Sequence, residues 1–254
     1  MTMLSEEQRE SYQSNGYLLL QGLIDTESLE RYNHRFIEFV EGKADPASEM
    51  KLMQDVMIAK GAVVPETPLH AINKLLNFED DPDLYQYVRH PALFETVVEL
   101  LGSHELYSIV TNIFNKPPGV DGRHPLHQDL RYFRLRPPES IVATWTAILP
   151  STRRSGCLAV IPGSHKGRLL KHANPDWEYV NFAFYGIEAP NLEDRVHIEM
   201  EPGDTLLFHP LLIHGSGRNR DTKFRRSIST HFARADCVSA GEDWRRSSRV
   251  RPLH

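Results

Sequence analysis

The chain is organised around one short stretch of sequence, RHPLHQDL, which runs from Arg123 to Leu130. Its centre is a His-x-Asp pair, His127 and Asp129. Side chains two positions apart on an extended strand point to the same face. One imidazole and one carboxylate can therefore reach a single metal ion from one strand. Taken alone, such a pair is more often a turn cap or a surface ion pair than a metal site.

A second stretch, HPLLIHGSG from His209 to Gly217, offers a third ligand, His214. Two histidines and one carboxylate on one face of an iron ion leave its other positions open, as in the facial triad of non-haem Fe(II) oxygenases. Arg225 follows His214 by eleven residues. A guanidinium on the next strand presents a planar fork that suits the far carboxylate of a dicarboxylic co-substrate. The presence of His214 and Arg225 in the same chain favours a metal site over a turn cap.

A competing His-x-Glu motif occurs at residues 197–199. Val196, Ile198 and Met200 alternate with polar residues, so they predict the apolar face of a half-buried strand. His197 and Glu199 would then point to water, and we do not assign them to a metal.

Composition excludes several classes of protein. The chain has 254 residues and a net charge of −5, so it has no overall basic field for nucleic acid. No apolar run approaches the ~18 residues of a membrane helix. The sequence shows neither a signal peptide nor a Ser-Lys-Leu-type peroxisomal address, and we expect a cytoplasmic protein, with a peroxisomal location as the alternative. The two cysteines, Cys157 and Cys237, are expected to be buried free thiols.

The pattern along the chain predicts helices first and strands afterwards. Ser5 to Gln8 has the form of a capping box, and Asp25 caps a second helix. From Tyr107 the apolar period becomes that of strands, with Gly and Pro turns between them. Further helices are predicted at 82–89 and 91–101, and strands at 17–20, 107–114, 141–149, 157–161, 196–200, 205–208, 211–214 and 226–232.

We therefore expect a mainly β fold with N-terminal helices and a jelly-roll, cupin-like core. One domain would span 1–254, with a helical part at 1–104, the jelly roll at 105–237 and a polar tail at 238–254. The long irregular stretch 166–190 is typical of a lid or binding loop. The arginine-rich tail favours a frayed segment, with contact to a phosphorylated ligand as the alternative.

Several longer motifs follow one another in a familiar order. They are NKPP at 115–118, RHPLHQDL at 123–130, WTA at 145–147, GCL at 156–158, HKG at 165–167, HPLLIHGSG at 209–217 and ADC at 235–237. Through these motifs the chain, from about Lys74 to Cys237, resembles the phytanoyl-CoA dioxygenase family of iron- and 2-oxoglutarate-dependent oxygenases.

The resemblance implies a double-stranded β-helix core and a set of site residues. Fe(II) would be held by His127, Asp129 and His214. Arg225 and Ser216 would hold the distal carboxylate of 2-oxoglutarate. The remaining residues implied to line the co-substrate pocket are Lys74, Gln128 and Trp145.

The resemblance also implies the reaction. O2 and 2-oxoglutarate would be consumed, with ascorbate as reductant, to hydroxylate a C–H bond and release succinate and carbon dioxide. The favoured partner is a small molecule, a branched fatty acyl-CoA hydroxylated at position 2, as in fatty acid α-oxidation. The candidates to bind the CoA phosphates are four arginines, Arg131, Arg134, Arg153 and Arg154. The alternative is that these arginines are solvated surface charges. The alternatives are the same chemistry on a small non-CoA metabolite, a jelly roll that binds metal or ligand without turnover, and a zinc hydrolase. The sequence does not define the oligomeric state.

Overall fold

Two antiparallel sheets of unequal size face each other in the computed structural model, which describes residues 4–187, 192–239, 241 and 243–253. The helices are α1 (Glu6–Asn15), α2 (Thr26–Val40), α3 (Val56–Ala59), α4 (Pro68–Ala71) and α5 (Pro91–Leu101). The strands are β1 (Tyr17–Leu20), β2 (Lys51–Gln54), β3 (Ile72–Leu76), β4 (Leu106–Lys116), β5 (His124–His127), β6 (Leu135–Arg136), β7 (Ile141–Ala147), β8 (Leu158–Val160), β9 (Val196–Ile198), β10 (Thr205–Phe208), β11 (His214–Ser216), β12 (Arg225–Arg234), β13 (Val238–Ser239) and β14 (Arg251–Pro252).

The sheets form the jelly roll expected from the sequence. The larger sheet has the order β1-β10-β7-β12-β4-β3-β2, with β14 added to the free edge of β4. The smaller sheet has the order β5-β11-β8-β9, and β13 pairs with β6 separately. Among the described residues, no helix is long and apolar enough to cross a membrane.

Local sequence signals set the two N-terminal helices as predicted. The Ser5 side chain accepts a hydrogen bond from the Gln8 backbone N–H, and the Gln8 side chain accepts one from the Ser5 N–H, which completes the capping box. Gly16 ends α1 with φ +80°, a left-handed conformation that suits glycine. Asp25 caps α2, whose residues Tyr32 and Phe36 are buried.

The large sheet is covered on both faces, which explains why β7 is buried along its whole length. Its outer face packs against the helices, where the Tyr87 hydroxyl lies 2.9 Å from Thr146 Oγ1. Its inner face, with Ala143 and Trp145, packs against Leu158 and other residues of the small sheet. The site described below opens between the two sheets.

Two predicted elements differ in the structure. A helix at 82–89 was expected, but a single 3₁₀ turn at Leu84–Gln86 is found. His90, which precedes Pro91, has extended ψ of 124°, because the proline ring disfavours a helical residue before it. A strand at 211–214 was also expected, whereas β11 begins at His214. The preceding residues form a turn in which the Leu212 N–H donates to the His209 carbonyl.

The polar tail is not frayed where the structure describes it. Arg251 and Pro252 of β14 pair with Ser108 and Tyr107 of β4. The first 104 residues also enter the large sheet, through β1, β2 and β3. Both ends of the chain therefore contribute to the sheet that carries one wall of the site.

Cys157 and Cys237 are free and buried, which confirms the prediction for the two thiols.

Candidate active site

His127, Asp129 and His214 lie together at one end of the space between the sheets. One ligand atom from each lies within 4.8 Å of the others. Asp129 Oδ1 is 3.2 Å from His127 Nε2 and 3.7 Å from His214 Nε2. The register of the small sheet causes this meeting, because His214 of β11 pairs directly with His127 of β5. Two nitrogens and one carboxylate oxygen therefore converge on one point.

Both histidines are oriented in the same way by the backbone. His127 Nδ1 lies 2.8 Å from the Pro125 carbonyl, and His214 Nδ1 lies 3.1 Å from the Leu212 carbonyl. A proton on each Nδ1 would leave the Nε2 lone pair free for a metal. Burial lowers the pKa of His214 to about 4, so its imidazole is neutral at neutral pH, as a metal ligand must be.

Asp129 stands just past the end of β5, at the start of a 3₁₀ turn over Asp129–Arg131. Gln128 is extended (φ −121°, ψ 127°), so Asp129 still faces the same way as His127. Burial by itself would raise the pKa of Asp129. Interactions with His214 and His231, and hydrogen bonds with His127 and His231, outweigh burial and hold that pKa well below its usual range. The carboxylate is therefore ionised at neutral pH.

The three residues line a cavity of about 370 Å³. Arg225, Ser216, Trp145 and Lys74, all predicted from the sequence, line the same cavity. Much of the remaining wall is apolar and comprises Met53, Leu76, Ile109, Val110, Phe114, Phe133, Ala143, Leu158, Ala183, Phe184 and Phe208. The cavity thus combines a metal-binding end, cationic groups and a wall suited to an alkyl chain.

Arg225 is buried at the far end of the cavity, with 2% of its surface exposed. Its Nη atoms donate to Ser227 Oγ (3.3 Å) and the Gly156 carbonyl (3.2 Å), while its Nε has no partner among the described residues. The guanidinium carbon lies 5.2 Å from the centre of the Trp145 ring. Burial lowers the pKa of Arg225 to about 10, so it remains charged at neutral pH.

Gln128 is not among the described residues that line the cavity, although the resemblance placed it there. Its side-chain amide donates to the Leu211 carbonyl (2.9 Å) and the Arg168 carbonyl (3.2 Å), and its oxygen accepts from the Leu170 N–H (2.8 Å). The physical reason is strand alternation, which points Gln128 away from the face shared by its two neighbours. It fastens the segment around Leu170 to the outside of the site.

The four arginines considered for CoA phosphates also lie outside this cavity. Arg131 lies over the Tyr185 ring at 4.7 Å, and Arg153 lines a separate surface cleft behind the small sheet. Arg134 and Arg154 are exposed.

The competing residues His197 and Glu199 lie apart from the three converging ligands. On the same strand, Ile198 and Met200 are buried as predicted, whereas Val196 is 42% exposed.

Two further residues at the site were missed in the sequence, and a third, Arg249, was considered only as part of the arginine-rich tail. His231 lies 2.7 Å from Asp129 Oδ2, and Arg249 lines the cavity. Lys116 donates to Ser216 Oγ (2.7 Å) and the Gly217 carbonyl (2.6 Å). Alternation along β12 from Arg225 would have indicated His231, and alternation along β4 from Phe114 would have indicated Lys116. No local pattern indicates Arg249, because its position depends on the long-range pairing of β14.

The fold and the three ligands define a jelly-roll protein with a mononuclear metal site of the facial-triad type. The sequence profile of the phytanoyl-CoA dioxygenase (PhyH) family matches residues 12–227. The chain therefore belongs to the phytanoyl-CoA dioxygenase family.

Individual relatives agree with the family match. The chain is 44% identical over 242 residues to a protein named probable phytanoyl-CoA dioxygenase from Caenorhabditis elegans, covering 92% of this chain and 77% of that protein. It is 41% identical over 240 residues to the peroxisomal phytanoyl-CoA dioxygenase of Homo sapiens, covering 92% and 70%. Among solved structures, the epimerase SnoN in complex with Fe3+, alpha ketoglutarate and nogalamycin RO has a TM-score of 0.70, 18% identity and 98% coverage of both chains. That likeness confirms the fold.

Proposed function

We propose that the protein is an Fe(II)- and 2-oxoglutarate-dependent dioxygenase that hydroxylates position 2 of a branched fatty acyl-CoA such as phytanoyl-CoA. The observation that carries this proposal is the placing of the three converging ligands and the buried Arg225 on one cavity. A metal at one end and a guanidinium at the other match the two ends of a keto-dicarboxylic acid. The names of the relatives support the substrate.

The residues present fit both groups. Two imidazoles and one ionised carboxylate can bind one face of Fe(II) and leave the opposite positions open. At the other end, the unpartnered Nε of Arg225 is a buried donor that a carboxylate oxygen would satisfy. Iron bound here would supply the activation of dioxygen that accompanies decarboxylation of 2-oxoglutarate.

The protein's own residues orient the reactants and exclude water. Arg225 and Ser216 would hold the distal carboxylate, with the Arg225 guanidinium fixed against Trp145 and the Gly156 carbonyl. Lys74 would add positive charge, since its Nζ lies 4.5 Å from the Phe114 ring centre on the cavity wall. The apolar wall would accommodate the alkyl chain and keep water from the reacting carbon.

The decisive experiment measures succinate and the mass of the acyl chain together. The protein would be incubated with Fe(II), ascorbate, O2, 2-oxoglutarate and phytanoyl-CoA. We expect one succinate for each acyl chain that gains one oxygen atom. Succinate release that ignores phytanoyl-CoA would retain the oxygenase and reject the substrate, in favour of a small non-CoA metabolite.

The Asp129→Ala variant tests the metal site in the same assay. It should abolish coupled turnover and Fe(II) binding, because it removes the one carboxylate of the ligand set. Asp236→Ala is the matched control, since Asp236 is exposed and pairs with Arg234 on the surface.

Two other outcomes would select a different function. If the unsubstituted protein binds Fe(II) but releases no succinate, it binds ligand without turnover. Product formation that persists without O2 would instead indicate a hydrolase.

We further propose that residues 1–254 act as one catalytic domain, because β3 from the N-terminal part carries Lys74 into the cavity formed by the later strands. Cytoplasmic localisation stays a prediction of the sequence.

A further inference from the structure

The C-terminal segment 243–253 is held against the open edge of β4 by several independent contacts. The Trp244 ring packs on Tyr107 at 5.2 Å, and its Nε1 donates to the Cys237 carbonyl at 2.8 Å. Arg251 pairs with Asp80 at 2.6 Å, in addition to the β14 pairing. A polar segment with these anchors has a defined path across the protein.

This path brings Arg249 to the cavity that holds the three converging ligands. Val250, the residue that follows Arg249, packs in one hydrophobic cluster with Ile109 and Val110 of β4. Both of these β4 residues line the cavity, and Val110 is paired with His231. His231 in turn contacts Asp129, so Arg249 belongs to the metal-binding end. Arg225 begins the same strand six residues before His231, about 20 Å away along an extended chain. Arg249 is therefore remote from the position proposed for the distal carboxylate of the co-substrate.

Arg249 also differs from the other arginines of the segment. Arg245 and Arg246 pair with Asp243, and Arg251 pairs with Asp80. Arg249 has no ion pair and no side-chain hydrogen bond in the part of the chain that the structure describes, and it is exposed.

The cavity offers Arg249 no negatively charged partner of its own among the described residues. Of the described lining residues, Asp129 alone is a carboxylate, whereas Lys74 and Arg225 are cations in addition to Arg249. A divalent metal and a dianionic co-substrate would cancel each other, and Asp129 would offset one of the two inner cations. The guanidinium at the open end would then face an unbalanced positive cavity, which favours a further anion.

We propose that Arg249 is a specificity-determining residue that binds an anionic group of the primary substrate, either a phosphate of a CoA thioester or the carboxylate of a free acid. This inference rests on the proposed function, since it concerns the substrate of that same site.

Equilibrium binding measures this contact without requiring turnover. Isothermal titration under anaerobic conditions, with Fe(II) and 2-oxoglutarate present, would compare phytanoyl-CoA, phytanoyl-pantetheine and phytanic acid. We expect Arg249→Gln to raise the Kd of phytanoyl-CoA about tenfold, as loss of one charge-assisted hydrogen bond does. The Kd of uncharged phytanoyl-pantetheine should not change. If only the Kd of phytanic acid rises, the anion recognised is the carboxylate.

Arg246→Gln is the matched control, because Arg246 lies in the same segment with 88% of its side chain exposed. The proposal is overturned if Arg249→Gln leaves the Kd of both anionic ligands unchanged, if Arg246→Gln weakens them equally, or if the unsubstituted protein binds none of the three. The oxygen mass gain is measured separately. Absence of that gain with an unchanged Arg249 effect on Kd would reject the proposed reaction and retain the contact.

Discussion

His231 Nε2 lies 2.7 Å from Asp129 Oδ2, while the other oxygen of that carboxylate faces His127 and His214. One oxygen is thus committed to a neighbour on β12 and the other remains for the metal. The Nε2–H of His231 donates to the carboxylate, and the contact fixes the rotation of the Asp129 side chain. Groups that orient a metal ligand in this way also tune the affinity of the site for its metal.

We predict that His231→Ala weakens Fe(II) binding by about 10- to 100-fold, the usual effect of losing a partner that orients a metal ligand. An anaerobic titration with Fe(II) measures this directly. His197→Ala is the control, because His197 is half-buried and lies on the other side of the small sheet. Equal Fe(II) affinity in the two variants would show that Asp129 is oriented without His231.

We predict that Lys74 makes the affinity for 2-oxoglutarate depend on pH. Burial lowers the pKa of Lys74 to about 8, although Asp129 opposes part of that effect. Lys74 therefore carries its positive charge below about pH 8 and loses it as the pH rises through that value. An unfolded lysine would keep its charge to about pH 10.4. If Lys74 contacts 2-oxoglutarate, the KM for this dianion should rise above pH 8.

The KM for 2-oxoglutarate, measured from about pH 6.5 to about pH 9.5 so as to bracket the lowered pKa of Lys74, checks this sign. Lys74→Met should raise the KM at low pH and remove the rise above pH 8. Lys51→Met serves as control, because Lys51 is exposed on the neighbouring strand β2. A pH profile that is the same in Lys74→Met and in the unsubstituted protein would exclude Lys74 as the titrating group.

Lys116 positions Ser216 rather than touching the cavity itself. It is 2% exposed, and its Nζ donates to Ser216 Oγ and to the Gly217 carbonyl. Burial, followed by the charge of Arg225, lowers the pKa of Lys116 well below its usual value. A dicarboxylate bound beside Arg225 would offset this cost.

Lys116→Met should therefore raise the KM for 2-oxoglutarate about tenfold, which corresponds to one lost charge-assisted contact, and change kcat little. Steady-state kinetics at varied 2-oxoglutarate separate the two parameters. Lys166→Met, on an exposed lysine, should leave both unchanged. A fall in kcat at constant KM would mean that Lys116 acts on the reaction step instead.

Two of the three converging residues could be placed together from the sequence because their geometry is local, whereas His214 reaches them through the long-range pairing of β11 with β5. Strand alternation places His127 and Asp129 on one face whatever the rest of the fold does. The same alternation turns Gln128 outward, where the structure finds it. The resemblance implied a cavity position for Gln128, and here the physical rule was the better guide.

Other features depend on contacts between distant parts of the chain. Whether His231 meets Asp129 is set by the registers of two different sheets, which a single sequence does not determine. The tail was expected to fray because its composition is polar. It is ordered because β4 offers an unpaired edge beyond β3, and residues 251–252 fill it.

Gly156 helps to hold Arg225 in place through its backbone carbonyl. Gly156 has φ +80°, and its carbonyl accepts the hydrogen bond from Arg225 Nη2. A Cβ at this position would lie 2.6 Å from the Gly217 carbonyl oxygen and 2.9 Å from that of Arg218. Alanine there combines left-handed backbone strain with a clash against backbone atoms that cannot rotate away.

Gly156→Ala should lower the free energy of unfolding by roughly 2 to 4 kcal/mol and raise the KM for 2-oxoglutarate, because the clash displaces the carbonyl that holds Arg225. Gly61→Ala isolates the backbone part, since Gly61 has φ +71° and a Cβ added there would meet no atom within 4 Å. It should cost only about 1 to 2 kcal/mol and leave the KM unchanged. Urea denaturation at constant m-value measures both. Equal losses in the two variants would show that the loop at Gly217 yields, and that Arg225 does not depend on this contact.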